Sequence, residues 1–313
     1  MNLPEPVKWA GDSLIILDQR ALPHEEIYIQ ARNSGDAATA IREMAVRGAP
    51  LIGIAAAYGL ALAFTRGEDI ESAKKALARA RPTAINPMKA LERVSRSSDP
   101  VAEAIAIHQE EKESCLRMAD HGARLIKKGS SILTHCNTGI LATGGIGTAL
   151  GVAYRAHEQG KVGMVWVTET RPWLQGARLT CWELGRAGVT HTLVVDSLAS
   201  FLMSRAMVDA VLVGADRVAA NGDVANKVGT LSLAVSAKHF GVPFYVVAPS
   251  TSFDPQTTDG NAIPLEERPA EEVLYYQGIR TAPDGTRALN YSFDITPREL
   301  ITAYITEEGV RET

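Results

Sequence analysis

From residue 130 onward the chain alternates short apolar, β-branched runs with helical stretches, and this alternation limits the fold more than any other feature. The runs are SILTH (131–135), GMVWVTE (163–169), HTLVVD (191–196), AVLVGAD (210–216), PFYVVAP (243–249) and EVLYY (272–276). Each is apolar on both faces, unlike a strand with one solvated side. Strands of this kind, separated by helices, form a parallel sheet covered on both faces. The sequence therefore predicts an α/β fold: a small, mostly helical N-terminal domain over residues 1–125, then a Rossmann-like, doubly wound parallel-sheet domain over residues 126–313.

The first third reads mainly helical. LIILDQRALPHEEIYIQ (14–30) supplies short strands about a turn at Leu22-Pro23. GDAATAIREMAVRG (35–48) predicts a helix closed by Gly48. APLIGIAAAYGLALAF (49–64) has Pro50 in its first turn, where a missing N–H costs nothing, and is apolar all round, so it predicts a buried helix. A break spans residues 81–87. Asp99-Pro100 then opens a long helix expected to run to about Lys128 and stop at Gly129.

Ligands of open parallel sheets bind at the carboxyl ends of the strands. Those ends hold Cys136 and Asn137, then Glu169, Thr170 and Arg171, then Asp196 and Ser197, then Asp216 and Arg217, and last Ser250 and Thr251. They point to one shared crevice, although Asp196 and Ser197 also suit a helix cap. The stretch after the first strand is glycine-rich, but it is not a dinucleotide fingerprint. Gly145 and Gly147 supply the first pair, Leu150 stands where the third glycine belongs, and the acid Glu169 sits within TETRPW. No nicotinamide and no other cofactor is implied. Gly139, Gly144, Gly145 and Gly147 instead let a helix start close to the sheet and to a ligand.

Cys115 and Cys181 read as small buried hydrophobes. Cys136 differs, because a strand end just ahead of a helix start is where reactive thiols sit. Asp216 follows a wholly apolar strand, where desolvation would favour a protonated carboxyl fit to act as a general acid. Arg47-Gly48-Ala49-Pro50 at one helix start, Asn226-Lys227 read as another, and Arg81 in a loop suggest a phosphorylated ligand. His135 neighbours Cys136 but should point to the opposite face and serve the structure. No His, Asp or Glu cluster has metal-ligand spacing.

Composition narrows the class. The net charge of −4 offers no basic field for nucleic acid. No apolar run reaches the ~20 residues of a membrane span, and the N-terminus lacks a signal-peptide pattern. Three cysteines without a CxxC suit a reducing cytoplasm.

Several segments in fixed order carry a family resemblance: VRGAPLIGIAAAYG, RPTAIN, LTHCNTG, GTALGV, TETRPWLQGARLT, VGADRVAANGDVANKVGT, PFYVVAPSTSFD and ITPRELITAYITEEGV. The sequence resembles the 5-methylthioribose-1-phosphate isomerases of methionine salvage. Their superfamily includes ribose-1,5-bisphosphate isomerases and the alpha, beta and delta subunits of the exchange factor for translation initiation factor 2. The resemblance implies Cys136 and Asp216 as the catalytic pair. It implies substrate contacts from Arg47, Gly48, Ala49, Arg81, Gln175, Asn226 and Lys227, a sugar-phosphate substrate, and a homodimer. PMKAL after RPTAIN, and Asn290-Tyr291-Ser292-Phe293 near the end, depart from the family pattern and bear on the group carried at C5 of the sugar. Methylthioribose 1-phosphate, 5-deoxyribose 1-phosphate and, less well, ribose 1,5-bisphosphate fit the resemblance. A non-catalytic sensor of sugar phosphate or nucleotide is the competing class. Hydrogen transfer from C2 to C1 as a proton or as a hydride is left open by the sequence.

Overall fold

The structure is a computed structural model and describes residues 3–81 and 85–313. The N-terminal part opens with an antiparallel three-stranded sheet of β1 (Val7–Trp9), β2 (Leu14–Leu17) and β3 (Tyr28–Ala31). Five helices follow: α1 (Ser34–Arg42), α2 (Ala49–Arg66), α3 (Ile70–Ala80), α4 (Ile85–Arg96) and α5 (Pro100–Ala123). Local chemistry starts three of them. The side chains of Asn33, Asp69 and Asp99 each accept the backbone N–H three residues on, which satisfies a donor the helix cannot.

Helix α2 is the core of this part. Leu51, Ile54, Leu60 and Leu62 are fully buried within one cluster that also takes in Ile41, Leu77 and Leu91. By length and composition it could cross a membrane, but 78% of it is buried inside the protein. It is apolar all round because helices surround it.

Alternating strands and helices then run β4 (Ser130–Thr134), α6 (Ile140–Thr143), α7 (Ala149–Glu158), β5 (Val162–Thr168), α8 (Cys181–Arg186), β6 (His191–Val194), α9 (Ala199–Ser204) and β7 (Ala210–Val213). Next come β8 (Arg217–Ala219), β9 (Val224–Lys227), α10 (Thr230–Phe240), β10 (Phe244–Val247), β11 (Phe253–Asp254), α11 (Glu271–Leu274), β12 (Tyr275–Tyr276), β13 (Ile279–Arg280), β14 (Phe293–Thr296), β15 (Ala303–Thr306) and β16 (Gly309–Glu312).

The main sheet has the order β16-β15-β10-β7-β4-β5-β6, parallel except for the edge strand β16. Successive residues face opposite sides, as pleating requires. Ile132, Leu212 and Val247 pack with Met118 of α5 and Val152 of α7. Leu133, Val213 and Val246 pack with Leu202 of α9 and Leu233 of α10. Both faces are therefore covered, which explains the unbroken apolar runs.

Four expectations need correction. EVLYY does not join the sheet. Its first residues are helical, and Tyr275 and Tyr276 are exposed in a two-stranded hairpin with β13. Gln277 and Gly278, both with positive φ, form its two-residue turn. The sixth parallel strand is β15. Gly48 does not close α1, which ends at Arg42. Gly48 caps the start of α2 at φ +84°, where a Cβ would lie 2.4 Å from the Ala142 carbonyl oxygen. The long helix stops at Ala123, short of Lys128. Asn226-Lys227 end strand β9 in a second sheet, β11-β8-β9-β14, and the helix begins at Thr230. Of the break at 81–87, residues 82–84 lie outside the described residues, and α4 is already helical from Ile85, with Pro87 tolerated in its first turn.

Helices α5 and α7 cross at Gly122. A Cβ there would lie 2.4 Å from Val152 Cγ2, closer than packed atoms allow. Gly122→Ala should therefore destabilise the protein by about 1–3 kcal/mol, read as a lower denaturant midpoint at unchanged slope.

Candidate active site

Chain order reverses beside β4: β5 and β6 lie on one side, β7, β10 and β15 on the other. The carboxyl ends of β4 and β7 thus border the crevice where such sheets bind ligands. A cavity of about 100 Å³ lies there. Cys136 and Asn137 reach it from β4, and Asp216 from β7. Arg47, Gly48, Ala49 and Arg81 reach it from the helical part, Gln175 from the loop after β5, and Asn226 and Lys227 from β9. The structure brings to this one cavity all nine residues to which the resemblance gives a site role, but of the other strand-end residues only Asn137 lines it; Glu169, Thr170, Arg171, Asp196, Ser197, Arg217, Ser250 and Thr251 do not.

Cys136 has φ +62°, a left-handed conformation costing roughly 1–3 kcal/mol for a side chain of this kind. Two threonines hold it there. Its N–H donates to Thr170 Oγ1 at 2.8 Å, and its carbonyl accepts from Thr180 Oγ1 at 2.6 Å. Next to it, the Asn137 carbonyl and Oδ1 accept from Arg47 Nη2 at 2.9 and 3.0 Å.

The charges are desolvated. Burial disfavours the charged forms of Arg47 and Lys227, and both are offset by Cys136 and Asp216. Lys227 Nζ also lies 4.6 Å from the centre of the Phe293 ring, a favourable cation–π contact. Burial pushes the Asp216 carboxyl above its usual range, against the pull of Lys227, Arg81 and Arg47, so it holds a proton to higher pH than a free carboxyl does. Two polar atoms of the cavity lining, Arg47 Nη1 and Gln175 Oε1, are buried without a partner among the described residues. Such atoms are costly unless a ligand completes them. The arrangement suits an anion with hydroxyl groups, a carboxyl to protonate it and a thiol beside it.

Other expected residues play different parts. Asp196 caps no helix. Its oxygens accept the N–H groups of Thr170 and Arg171 at 2.7 and 2.8 Å, holding the loop that holds Cys136. His135 is structural, as expected. Its Nε2 donates to the Val228 carbonyl at 2.8 Å, which leaves Nδ1 to accept from Thr168 Oγ1 at 2.6 Å. Burial lowers its pKa, so the ring is neutral. Leu150 is buried in the core of α7. Gly147, at φ +107° and with its Cβ position 2.6 Å from the Thr138 carbonyl oxygen, lets α7 start against the strand-end loop. Ser250 turns away to Glu307, and Arg217 lies 3.6 Å from Asp254. Among the described residues no His, Cys, Asp and Glu side chains cluster as a metal site would need.

Sequence reasoning missed Thr170, Thr180 and Glu183 as supports. Glu183 is fully buried. Its only signal is an acid inside the otherwise apolar turn TCWEL, three residues after Thr180.

Residues 45–313 match the initiation factor 2 subunit family, and the chain belongs to it. Within that family, the methylthioribose-1-phosphate isomerase of Parasynechococcus marenigrum is 50% identical, covering 99% of this chain and 95% of its own length. The crystal structure of 5-methylthioribose 1-phosphate isomerase from Pyrococcus horikoshii OT3 is similar at a TM-score of 0.91 and 42% identity, over 99% of this chain and 93% of that one. The translation initiation factor eIF-2B subunit delta from A. fulgidus is similar at 0.87 and 41%, over 98% and 96%.

A second cavity, of about 350 Å³, lies between α2, α4, α5 and the end of β10. Burial pushes the Glu111 carboxyl in it up to about 7, with Glu307 adding to the effect. A carboxyl raised in the fold contributes stability at low pH that is lost as pH rises through its folded value. Wild-type stability should therefore decline between about pH 4.5 and 7 from this group. Glu111→Gln should remove that decline, so its melting-temperature advantage over wild type should grow from acid pH to well above neutrality.

Proposed function

We propose that the chain is an aldose–ketose isomerase converting 5-methylthioribose 1-phosphate to 5-methylthioribulose 1-phosphate. The observation that carries this reading is the cavity itself. A thiol and a carboxyl that burial pushes above its usual range share it with Arg47, Arg81 and Lys227, and relatives at about half identity over nearly the whole chain bear that enzyme's name. The covered parallel sheet supports reading residues 126–313 as a Rossmann-like domain behind a helical domain of residues 1–125.

The chemistry follows from the substrate. Phosphate on C1 locks the sugar as a ring, because C1 has no free hydroxyl through which to open. Arg47, Lys227 and Arg81 hold the phosphate, with Gly48, Ala49 and Gln175 placing the sugar. Asp216 gives its proton to the ring oxygen as the bond from C1 to that oxygen breaks, leaving a hydroxyl on C4. Hydrogen passes from C2 to C1, and C2 becomes the carbonyl of the ketose. By either route C2 or its hydroxyl must release a proton, and Cys136 is assigned to take it. A deuterium label on C2 reads the route: retention at C1 means direct transfer, and loss to water means exchange.

Phosphorus and proton NMR of wild type with methylthioribose 1-phosphate should show the ketose 1-phosphate forming. Cys136→Ala and Asp216→Asn should each lower kcat by at least about 100-fold, with KM within a few-fold and the melting temperature preserved. Wild-type turnover in either variant would remove that residue from the mechanism. The initiation-factor relative at 41% identity favours a second reading, a regulatory binder, and a folded wild-type protein that binds sugar phosphate without turnover would establish it.

We also assign a homodimer. Leu193, Val195, Leu198, Phe201 and Met207, all at or after the edge strand β6, are exposed apolar side chains, and such a patch favours a protein partner. Light scattering should give the mass of two chains, and a one-chain mass would refute the assignment.

A further inference from the structure

Behind the cavity, out of reach of any ligand in it, lies Glu183. It is fully buried and receives four donors. Its Oε1 accepts from Asn137 Nδ2 at 2.8 Å and from the Leu141 N–H at 3.2 Å. Its Oε2 accepts from the Ile140 N–H at 2.9 Å and from the Tyr154 hydroxyl at 3.1 Å. Space is kept for it by Gly139, whose Cβ would lie 1.9 Å from Oε2.

Burial pushes the Glu183 carboxyl above its usual range, while its four donors favour the ionised form, and a carboxylate can only accept hydrogen bonds. It therefore fixes which end of the Asn137 amide points inward. With Nδ2 turned to Glu183, Oδ1 must face Arg47, and it does, at 3.0 Å from Nη2. That contact occupies one guanidinium nitrogen and leaves Nη1, buried and without a partner among the described residues, for a ligand.

We propose that Glu183 is a positioning residue: by fixing the Asn137 amide, it aims Arg47 at the phosphate of the substrate. The inference rests on the isomerase reading only for the identity of the sugar. Glu183→Gln keeps the shape but turns one acceptor into a donor. Whichever oxygen is replaced then faces a backbone N–H, of Leu141 or of Ile140, that cannot turn away. Flipping Asn137 to compensate would present an NH₂ group to Arg47.

Inorganic phosphate binding, measured by calorimetry on the full chain, tests this without needing the sugar. Glu183→Gln should weaken phosphate about tenfold, the scale of one charge-assisted hydrogen bond. In turnover it should raise KM by a similar factor with kcat within about threefold, a split that general loosening of the site would not give. Asn137→Ala should weaken phosphate similarly, and the double variant should lose no more than the larger single loss. Tyr154→Phe, which removes a donor from Glu183 without touching Asn137, should bind phosphate as wild type does.

Unchanged phosphate affinity in Glu183→Gln, additive losses in the double variant, an equal loss in Tyr154→Phe, or a wild type that does not bind phosphate would each overturn the proposal. If Glu183→Gln does not fold, Asn137→Ala decides alone, and unchanged binding there overturns it. Phosphate effects as expected in a wild type that leaves methylthioribose 1-phosphate unconverted would sink the isomerase reading and leave the positioning role standing.

Discussion

The site depends on one peptide unit, the link between Cys136 and Asn137 at the end of β4. Left alone, a cysteine would leave the left-handed conformation it adopts there. It stays because Thr170 and Thr180 take its N–H and its carbonyl. Thr170 is in turn set by a backbone bond to Asp196, and Thr180 stands one helical turn before Glu183. Two separate strand ends and one helix thus determine where a single thiol points. Local conformational strain is held in place by hydrogen bonds whose donors and acceptors lie up to 44 residues away in sequence.

Electrostatic balance is the second constraint. A cavity this small holds two cations disfavoured by burial, a carboxyl that burial pushes above its usual range, and a guanidinium nitrogen with no partner among the described residues. None of these is comfortable in isolation. Each is tolerable because the others are near, and a dianionic ligand would improve the balance further. Such a site discriminates by charge before it discriminates by shape.

Much of this was legible in the sequence, and the reasons for the failures are specific. The inner parallel strands β4, β5, β7 and β10 were readable because burial on both faces leaves an unbroken apolar run, and the edge strand β6 because it keeps an apolar run although one face is exposed. EVLYY misled because its last two apolar side chains, Tyr275 and Tyr276, are exposed aromatics, a case composition cannot separate from a core strand; the Gln277-Gly278 turn was the overlooked signal. Asn226-Lys227 sat beside a strong helix pattern, and only the pairing of β9 with β14, distant in sequence, makes it strand. The cavity residues were found because strand ends and motif resemblance point the same way. Glu183 escaped both approaches. It touches no ligand position, and its role exists only once the turn before α8 folds against the end of β4.

Helix α5 has a mechanical consequence. Along its length it packs against α2 and α4 on the helical side and against α7 and β15 on the sheet side, so one continuous rod is embedded in both halves of the molecule. A wide hinge between the halves would have to strip that rod from one of its beds. A swing of that kind would also part Arg47 from the end of β4, where its guanidinium is bonded to Asn137.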